Sequence, residues 1–127
     1  MTTISEEWAR TAPAGPELDR VCAEWLGWYW RHGAWFNDTA SEARMLLSES
    51  DLPCGSPSTD WTAAGPLLEA MDPIVDPTHG DNGICVVVPG QNGYGQRAKV
   101  YASTYTLAIA RACAVLVARG ISREDLG

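Results

Sequence analysis

Residues 83–120 read GICVVVPGQNGYGQRAKVYASTYTLAIARACAVLVARG, and this stretch decides the predicted fold. Residues 83–88 are mostly β-branched, and residues 97–102 alternate between polar and apolar side chains. A Gly- and Asn-rich loop lies between them, so the pattern predicts an antiparallel hairpin. A helix follows at once, and either Ser103 or Thr104 can cap its first turn.

The helix after the hairpin is apolar on most of its sides. Only Arg111 and Arg119 are clearly polar within it, and Gly120 provides a C-terminal stop. A helix on the surface of a globular protein would carry a broad polar face, which this helix lacks. It is therefore predicted to be buried on more than one face, either at the centre of the domain or in an oligomer interface.

Upstream, the sequence GPELDRVCAEWLG at residues 15–27 has the features of a well-formed helix. Pro16 suits the first helical position, and Gly27 can adopt the left-handed conformation that ends a helix. Five apolar residues fall on one stripe at helical spacing: Leu18, Val21, Cys22, Trp25 and Leu26. The stripe places Trp25 in the core. Before it, residues 1–14 form an N-terminal segment that can be flexible and holds a short helical stretch.

A second helix is predicted from PSTDWTAAGPLLEAM at residues 57–71. Ser58 or Thr59 can cap its first turn with a side-chain hydroxyl. The Gly65 and Pro66 pair predicts a kink, or a helix that restarts at Pro66, because proline removes a backbone donor and clashes with the preceding turn.

The elements come in the order helix, aromatic segment, helix, antiparallel strands, helix. Helices packed on an antiparallel sheet make an α+β layered domain, and 127 residues suffice for one such domain spanning 1–127. Residues 28–57 are predicted as an aromatic flap and a loop insertion, with a modest helical pattern at 41–50. Ile74 and Val75 predict a short additional strand.

Composition argues against several classes of function. The net charge of −7 comes from nine Lys and Arg against sixteen Asp and Glu, and the bases are scattered along the chain. Nucleic-acid binding relies on clustered bases, so DNA and RNA are not expected as partners. No stretch approaches the ~20 apolar residues of a membrane helix, so no membrane association is expected. The first residues lack the apolar centre of a secretory signal, which predicts a cytoplasmic location.

The residues that carry chemistry form no recognisable catalytic or metal-binding pattern. Four cysteines are widely spaced without a zinc-type pair, and neither histidine has a ligand at metal spacing. Cys54 lies in a predicted loop and is the one cysteine to test for reactivity. The loop PGQNGYGQR at 89–97 is Gly-rich, but a phosphate loop of the Walker type requires a Lys–Ser/Thr pair and a following helix. We therefore expect no metal, no cofactor and no enzymatic activity.

The segment WYWRHGAWF at residues 28–36 concentrates aromatic side chains that the helical pattern does not explain. Alternation about Gly33 fits either a small aromatic hairpin or an extended segment lying over the domain. Two interpretations stay open for Trp28, Trp30 and Trp35. They pack in the core or against another subunit, or they form a ligand or partner site.

Three sequence blocks resemble small proteins of tailed phages and prophages, those with a phage "ABA sandwich" domain. The blocks are GPELDRVCAEWLGW, PSTDWTAAGPLLEAM and YASTYTLAIARACAVLVARG, with the predicted hairpin between the last two. The matching positions of the first block are Gly15, Glu17, Leu18, Asp19, Val21, Ala23, Glu24, Gly27 and Trp28. Those of the other two are Ser58, Thr59, Asp60, Ala63, Ala64, Ala108, Ile109, Arg111, Ala112 and Leu116. Pro57, the Gly65 and Pro66 pair and Ala110 depart from the family pattern.

The resemblance implies a phage origin and an α/β/α layered sandwich. In such a fold three main helices pack on a small antiparallel sheet of two to three strands. Most proteins of this kind have no assigned activity. Some other small phage proteins of comparable size sequester nucleotide immune signals of the bacterial host, which suggests the same role here by analogy.

The leading hypothesis is therefore a non-catalytic homo-oligomer that captures a nucleotide-like ligand. Tryptophan faces stack on bases, arginines pair with phosphate, and free amides at a helix start attract anions. The candidate ligand-binding residues are Trp28, Trp30, Arg31, Trp35, Ser58, Thr59, Asn92, Tyr94 and Arg97. The alternatives are a protein–protein interaction module that inhibits a host protein, and a structural or accessory phage oligomer.

Overall fold

The computed structural model describes residues 4–31, 34–37, 43–45, 55–76, 83–90, 95–122 and 125. Within these residues lie four helices and two three-stranded antiparallel sheets, so the predicted α+β layered fold is confirmed. The helices are α1 (Glu6–Thr11), α2 (Pro16–Trp25), α3 (Trp61–Met71) and α4 (Tyr105–Ala118). The first sheet contains β1 (Trp28–Arg31), β2 (Ala34–Asn37) and β3 (Ala43–Met45), in that order. The second contains β4 (Ile74–Asp76), β5 (Ile84–Pro89) and β6 (Gln96–Ala102), also in that order.

Helix α4 is the centre of the domain. Thr104 caps it, because its hydroxyl oxygen accepts a hydrogen bond from the backbone N–H of Leu107 at 3.2 Å. Helices α1, α2 and α3 and strands β5 and β6 all pack against α4, which confirms its predicted burial on several faces. Apolar as it is, neither α4 nor any other helix in the described ranges is long and apolar enough to span a membrane.

The β4–β5–β6 sheet presents an apolar face to α4. The register pairs Val86 with Val100 and Val88 with Ala98, and all four side chains are buried. Because side chains alternate between the faces of a strand, these residues fall on one face at every second position. The predicted hairpin is confirmed, and the strand that begins at Ile74 pairs with its first strand as expected.

Helix α2 follows the signals in its sequence. Pro16 occupies its first turn, and Gly27 lies just beyond its C-terminus with a φ of 102°, a conformation that favours glycine. Cys22 and Trp25 are buried, and the indole N–H of Trp25 donates to the carbonyl of Ile121 at 3.0 Å. The prediction that Trp25 belongs to the core is confirmed.

Helix α3 departs from the prediction in two respects. Its N-cap is Asp60, whose carboxylate accepts a hydrogen bond from the N–H of Thr62 at 2.9 Å. The helix also runs unbroken through Pro66, so the predicted restart is wrong. Pro66 and Thr62 are both exposed, so water can satisfy the carbonyl that loses its partner, and Gly65 has no Cβ to clash with the proline ring.

The predicted aromatic flap is a second small sheet. Strands β1 and β2 form the hairpin, and β3 pairs with β2 so that Phe36 lies opposite Arg44 and Asn37 opposite Ala43. The helix predicted over 41–50 is therefore wrong at β3, because hydrogen bonding to β2 holds this segment extended. The other residues of 41–50 lie outside the described ranges.

Three arginines close the outer edge of β6. Every second carbonyl of an antiparallel strand points away from its neighbour, and on β6 each of the three such carbonyls accepts a hydrogen bond from a guanidinium group. The donors and acceptors are Arg119 with Arg97, Arg10 with Lys99, and Arg111 with Tyr101. Unpaired carbonyls on an edge strand invite pairing with other chains, and here guanidinium groups occupy them.

Arg111 also ties α1 to this edge. Its Nε donates to the carbonyl of Ala12 at 2.8 Å, and its Nη2 donates to the carbonyl of Thr11 at 3.4 Å. Its Nη1 reaches the carbonyl of Tyr101 at 3.0 Å. Because Thr11 ends α1, the positive charge also lies at the negative end of the helix dipole. Burial lowers the pKa of the Arg111 guanidinium, which nevertheless stays charged at neutral pH.

Candidate functional site

The β1–β2 hairpin sorts its side chains onto two faces. The register pairs Trp28 with Asn37, Tyr29 with Phe36, Trp30 with Trp35, and Arg31 with Ala34. Successive side chains of a strand point to opposite faces, and paired residues share a face. We call one of these the inner face; it carries Trp28, Trp30, Trp35 and Asn37. The outer face carries Tyr29, Arg31, Ala34 and Phe36.

The inner face packs against α2 and the residue that follows it. The side-chain amide of Asn37 donates to the carbonyl of Leu26 at 3.2 Å. The guanidinium carbon of Arg20 lies 5.4 Å from the centre of the Trp35 ring. Trp30 meets Trp35 edge to face, with ring centroids 5.7 Å apart. These contacts are those of a small packed core between the hairpin and α2.

The tryptophans predicted to stack on a ligand therefore lie on the inner face. Trp35 has no exposed surface, and full burial leaves neither face of its ring accessible, so its predicted stacking role is not supported. Trp28 is half-buried and packs against the main hydrophobic core. Trp30 is also half-buried. For Trp28 and Trp30, contact with a ligand stays a prediction.

The outer face carries an aromatic pair beside a cation; Tyr29 of the pair is exposed and Phe36 is half-buried. The rings of Tyr29 and Phe36 stack with centroids 5.7 Å apart and planes inclined by 22°, and Tyr29 is 36% exposed. Arg31 is exposed on the same face, two residues further along β1. Sequence reasoning selected Arg31 and missed Tyr29 and Phe36. Two-residue alternation in a hairpin that pairs Arg31 with Ala34 would have placed all three together.

Arg31 lacks the contacts that hold several of the other arginines in place. Arg10, Arg111 and Arg119 bind the edge of β6, and Arg10 and Arg119 also pair with Glu6. The hydrogen bond from Arg119 lowers the pKa of the Glu6 carboxyl. In contrast, Arg31 makes no hydrogen bond or ion pair with any residue that the structure describes. Its side chain is exposed.

The start of α3 is organised differently from the predicted anion site. Ser58 is buried, its N–H donates to Oδ1 of Asp19 at 2.9 Å, and its hydroxyl accepts from the N–H of Gly15 at 3.2 Å. These bonds tie the turn before α3 to the first turn of α2, and contact of Ser58 with a ligand stays a prediction. Thr59 is exposed, and its hydroxyl donates to the carbonyl of Ser56 at 3.4 Å. The prediction that Ser58 or Thr59 caps α3 is wrong.

The remaining predicted ligand residues are not joined to the outer face. Asn92 and Tyr94 lie outside the described residues. Arg97 is half-buried on β6, in the other sheet, and its carbonyl accepts from Arg119 at 2.6 Å. Across the described ranges, no hydrogen bond, ion pair or ring contact connects Arg31 to Thr59 or Arg97. The convergence of three surface elements on one ligand stays a prediction.

The cysteines described by the structure are buried free thiols. They are Cys22, Cys85 and Cys113, while Cys54 lies outside the described residues. The hydrogen bond with Cys113 raises the pKa of the Cys22 thiol well above its ordinary range, and burial acts in the same direction. A protonated, buried thiol is a poor nucleophile and a poor metal ligand. In the described part of the chain, no three His, Cys, Asp or Glu residues cluster as a metal site.

We expect these three thiols to resist alkylation in the folded protein. In a Cys54→Ser background, iodoacetamide should modify Cys22, Cys85 and Cys113 at least about a thousandfold more slowly than in denaturant. The reason is that access requires unfolding, which costs at least about 5 kcal/mol in a typical domain. Mass spectrometry of timed samples counts the modified cysteines. Rapid modification of any of the three under native conditions would contradict their burial.

No protein family, curated protein or solved structure matches the chain. Its function is therefore inferred from its own residues and their arrangement. The outer face of the hairpin brings together an exposed tyrosine and an exposed arginine.

Proposed function

We propose that this chain is a non-catalytic binding protein that captures a small nucleotide-like anion on the outer face of the hairpin. The observation that carries the proposal is Tyr29, a residue 36% exposed whose ring stacks on Phe36, with exposed Arg31 two residues further along the same strand. Aromatic rings stack on any base, and arginine binds phosphate through two parallel hydrogen bonds. Tyr29 is then the stacking platform, and Arg31 pairs with a phosphate.

The hairpin favours this mode of binding because it presents both groups on one face of the same strand. Tyr29 is paired with Phe36 in the strand register and stacked on it, so its ring loses little freedom when a base covers it. Tyr29 and Arg31 are two residues apart on one strand, which separates their Cα atoms by roughly 7 Å. A nucleotide can bridge that distance from its base to its phosphate.

The overall charge supports a small ligand over a polymer. A net charge of −7 opposes DNA and RNA, whose binding depends on many cations that neutralise successive phosphates. A ligand with one or two phosphates needs only a local cation, and Arg31 is one. The protein would therefore distinguish a nucleotide from the nucleic acids that surround it.

The resemblance to phage ABA-sandwich proteins supports the biological role that we propose. A phage-encoded homo-oligomer in the cytoplasm of an infected host would sequester a nucleotide-derived immune signal and so lower its free concentration. Such a protein acts by binding alone, which requires no catalytic group. The proposed role is therefore an anti-defence function in which the protein binds and sequesters the immune signal.

Cyclic dinucleotides, cyclic trinucleotides and isomers of cyclic ADP-ribose are the ligands to test first. A ligand at a hundredfold excess over its Kd should raise the free energy of unfolding by about 2.7 kcal/mol, which a thermal melt detects. Tyr29→Ala should weaken binding by about tenfold, because stacking on one base contributes about 1–3 kcal/mol. Calorimetry measures the affinity of the wild type and the variant. Recovery of intact ligand after heat denaturation separates capture from turnover.

Trp61→Ala is the matched control for Tyr29→Ala. Trp61 is 54% exposed and contacts the ring of Tyr105 at 5.6 Å, so it is an exposed aromatic residue outside the hairpin. Its replacement should change affinity by less than about twofold, as expected for a surface residue away from the site. Absence of stabilisation by all these ligands, or an equal loss of affinity in both variants, would rule out the proposal.

A protein–protein interaction module that inhibits a host protein is the second candidate. The observation in its favour is an open groove between α1 and α2, with apolar side chains along its floor and carboxylates at its rim. A structural or accessory oligomer, the third candidate, predicts neither a nucleotide nor a host partner. The ligand titrations above therefore also separate capture from this third candidate.

A further inference from the structure

Helices α1 and α2 enclose a groove because of how they pack. Both lie against α4, but they make few contacts with each other, and the space between them stays open. The groove has a volume of about 450 Å³. The residues that matter for its chemistry are Ile4, Trp8, Glu17, Arg20, Val21 and Glu24. None of them belongs to the outer face of the hairpin.

The floor of the groove is apolar and only partly covered. Ile4, Trp8 and Val21 are half-buried, and each packs against the main core. The hydroxyl of Ser5 accepts a hydrogen bond from the N–H of Trp8 at 3.1 Å, which fixes the first turn of α1 and so the position of Trp8. Large apolar side chains that remain accessible on a concave surface are typical of binding sites.

The rim of the groove is acidic. Glu17 and Glu24 are exposed on α2, one on each side of Arg20 along the helix. Arg20 Nε lies 3.1 Å from Oε1 of Glu24, and its guanidinium carbon lies over the ring of Trp35. The guanidinium group of Arg20 thus contacts Glu24 and the hairpin. One carboxylate remains in excess at the rim, in a chain whose net charge is −7.

We propose that this groove binds a basic amphipathic helix of a partner protein. The apolar face of such a helix would cover Trp8 and Val21, and its basic side chains would reach the carboxylates. Glu17 and Glu24 are seven residues apart, which is two turns and roughly 10 Å along α2. A partner helix with Lys or Arg at the same spacing places one base beside Glu17 and the other beside Glu24, which Arg20 already contacts. This site is independent of nucleotide capture on the hairpin.

The test uses a fluorescently labelled leucine–lysine peptide of about 14 residues, designed as an amphipathic helix. Fluorescence anisotropy measures its binding to the whole protein. Glu17→Lys should weaken binding by about tenfold, because it replaces attraction at the rim with repulsion. Glu69→Lys is the matched control, since Glu69 is exposed on α3 and the change of net charge is the same. It should change affinity by less than about twofold.

A second variant tests the floor of the groove. Val21→Thr preserves the shape of the side chain but adds a hydroxyl, so it should weaken peptide binding by about threefold. Circular dichroism establishes that each variant is folded. Tyr29→Ala should leave peptide binding unchanged, which keeps this result separate from that of nucleotide capture.

Several outcomes would overturn the proposal. Failure of the peptide to bind the wild-type protein is the simplest of them. Equal weakening by Glu17→Lys and Glu69→Lys would mean that the overall charge attracts the peptide without use of the groove. Equal binding of a peptide with glutamate in place of lysine would exclude recognition by the acidic rim. A change of sedimentation mass in Glu17→Lys would indicate that a second copy of the chain occupies the groove.

Discussion

An Arg111→Ala substitution is expected to lower the free energy of unfolding by about 3 kcal/mol. The guanidinium of Arg111 donates to the carbonyls of Thr11, Ala12 and Tyr101, so a single replacement removes a donor from three acceptors. Ala12 is buried, and a buried acceptor left without a partner costs about 1–3 kcal/mol. Urea denaturation followed by tryptophan fluorescence measures the change.

Two further variants identify the cause of that effect. Arg111→Lys keeps the charge, but a compact ammonium group cannot replace the planar fork that reaches all three carbonyls, so a loss of about 1–2 kcal/mol is expected. Arg31→Ala is the control, because Arg31 is exposed, and it should change stability by less than about 0.5 kcal/mol. A loss below about 1 kcal/mol for Arg111→Ala would mean that water replaces the guanidinium without penalty.

Asp19→Ala is expected to lower the free energy of unfolding by about 2–3 kcal/mol. The carboxylate of Asp19 is buried on α2 and accepts a hydrogen bond from the N–H of Ser58 at 2.9 Å. Removal of the acceptor leaves this N–H buried without a partner and releases the turn before α3 from α2. Asp19→Asn retains an oxygen acceptor, so its loss should be about 1 kcal/mol. Thermal and urea denaturation measure both variants.

Glu17→Ala is the matched control for Asp19→Ala. Both acidic residues lie in the first turn of α2, so both interact favourably with the helix dipole, but Glu17 is exposed. Its replacement should cost no more than about 0.5–1 kcal/mol. If the two variants lost equal stability, the helix dipole would explain the effect of Asp19, and the bond to Ser58 would contribute little.

Helices α2 and α4 could be predicted because the sequence features that specify them lie within or next to each helix. Pro16 and Gly27 mark the ends of α2, and the apolar stripe between them specifies its buried face without knowledge of the rest of the chain. The same holds for α4, whose apolar sequence requires a central position. Pro66 led to the wrong prediction that α3 restarts. The effect of a proline depends on whether the carbonyl that loses its hydrogen bond faces water, as it does in α3.

The second sheet could be predicted only in part, because its third strand depends on a distant partner. Residues 43–45 have no strong strand pattern of their own, and β2 holds them extended through backbone hydrogen bonds. The arginines that contact β6 include residues even further away along the sequence. Arg10 and Arg111 donate to backbone carbonyls of β6, and the periodicity of a helix or strand does not predict such bonds. They can be identified only when the positions of α1 and α4 against the sheet are known.

The candidate site could have been predicted more accurately than it was. The tryptophans were predicted to bind a ligand because large aromatic rings are common in binding sites. Large aromatic rings are equally common in buried cores. Strict alternation about the turn assigns Trp28, Trp30 and Trp35 to one face and leaves Tyr29 beside Arg31 on the other. Which face is covered was not predictable, since it depends on the packing of the hairpin against α2.

The guanidinium groups on β6 also limit how copies of this chain can join through the β4–β5–β6 sheet. A fibril grows by strand addition only if each added strand leaves a new free edge for the next. One edge of the β4–β5–β6 sheet is occupied by Arg10, Arg111 and Arg119, so strand addition is restricted to β4. Two copies joined through β4 would leave only β6 at the edges of the combined sheet, and its outward carbonyls are already bonded. These arginines therefore disfavour fibril growth through the β4–β5–β6 sheet.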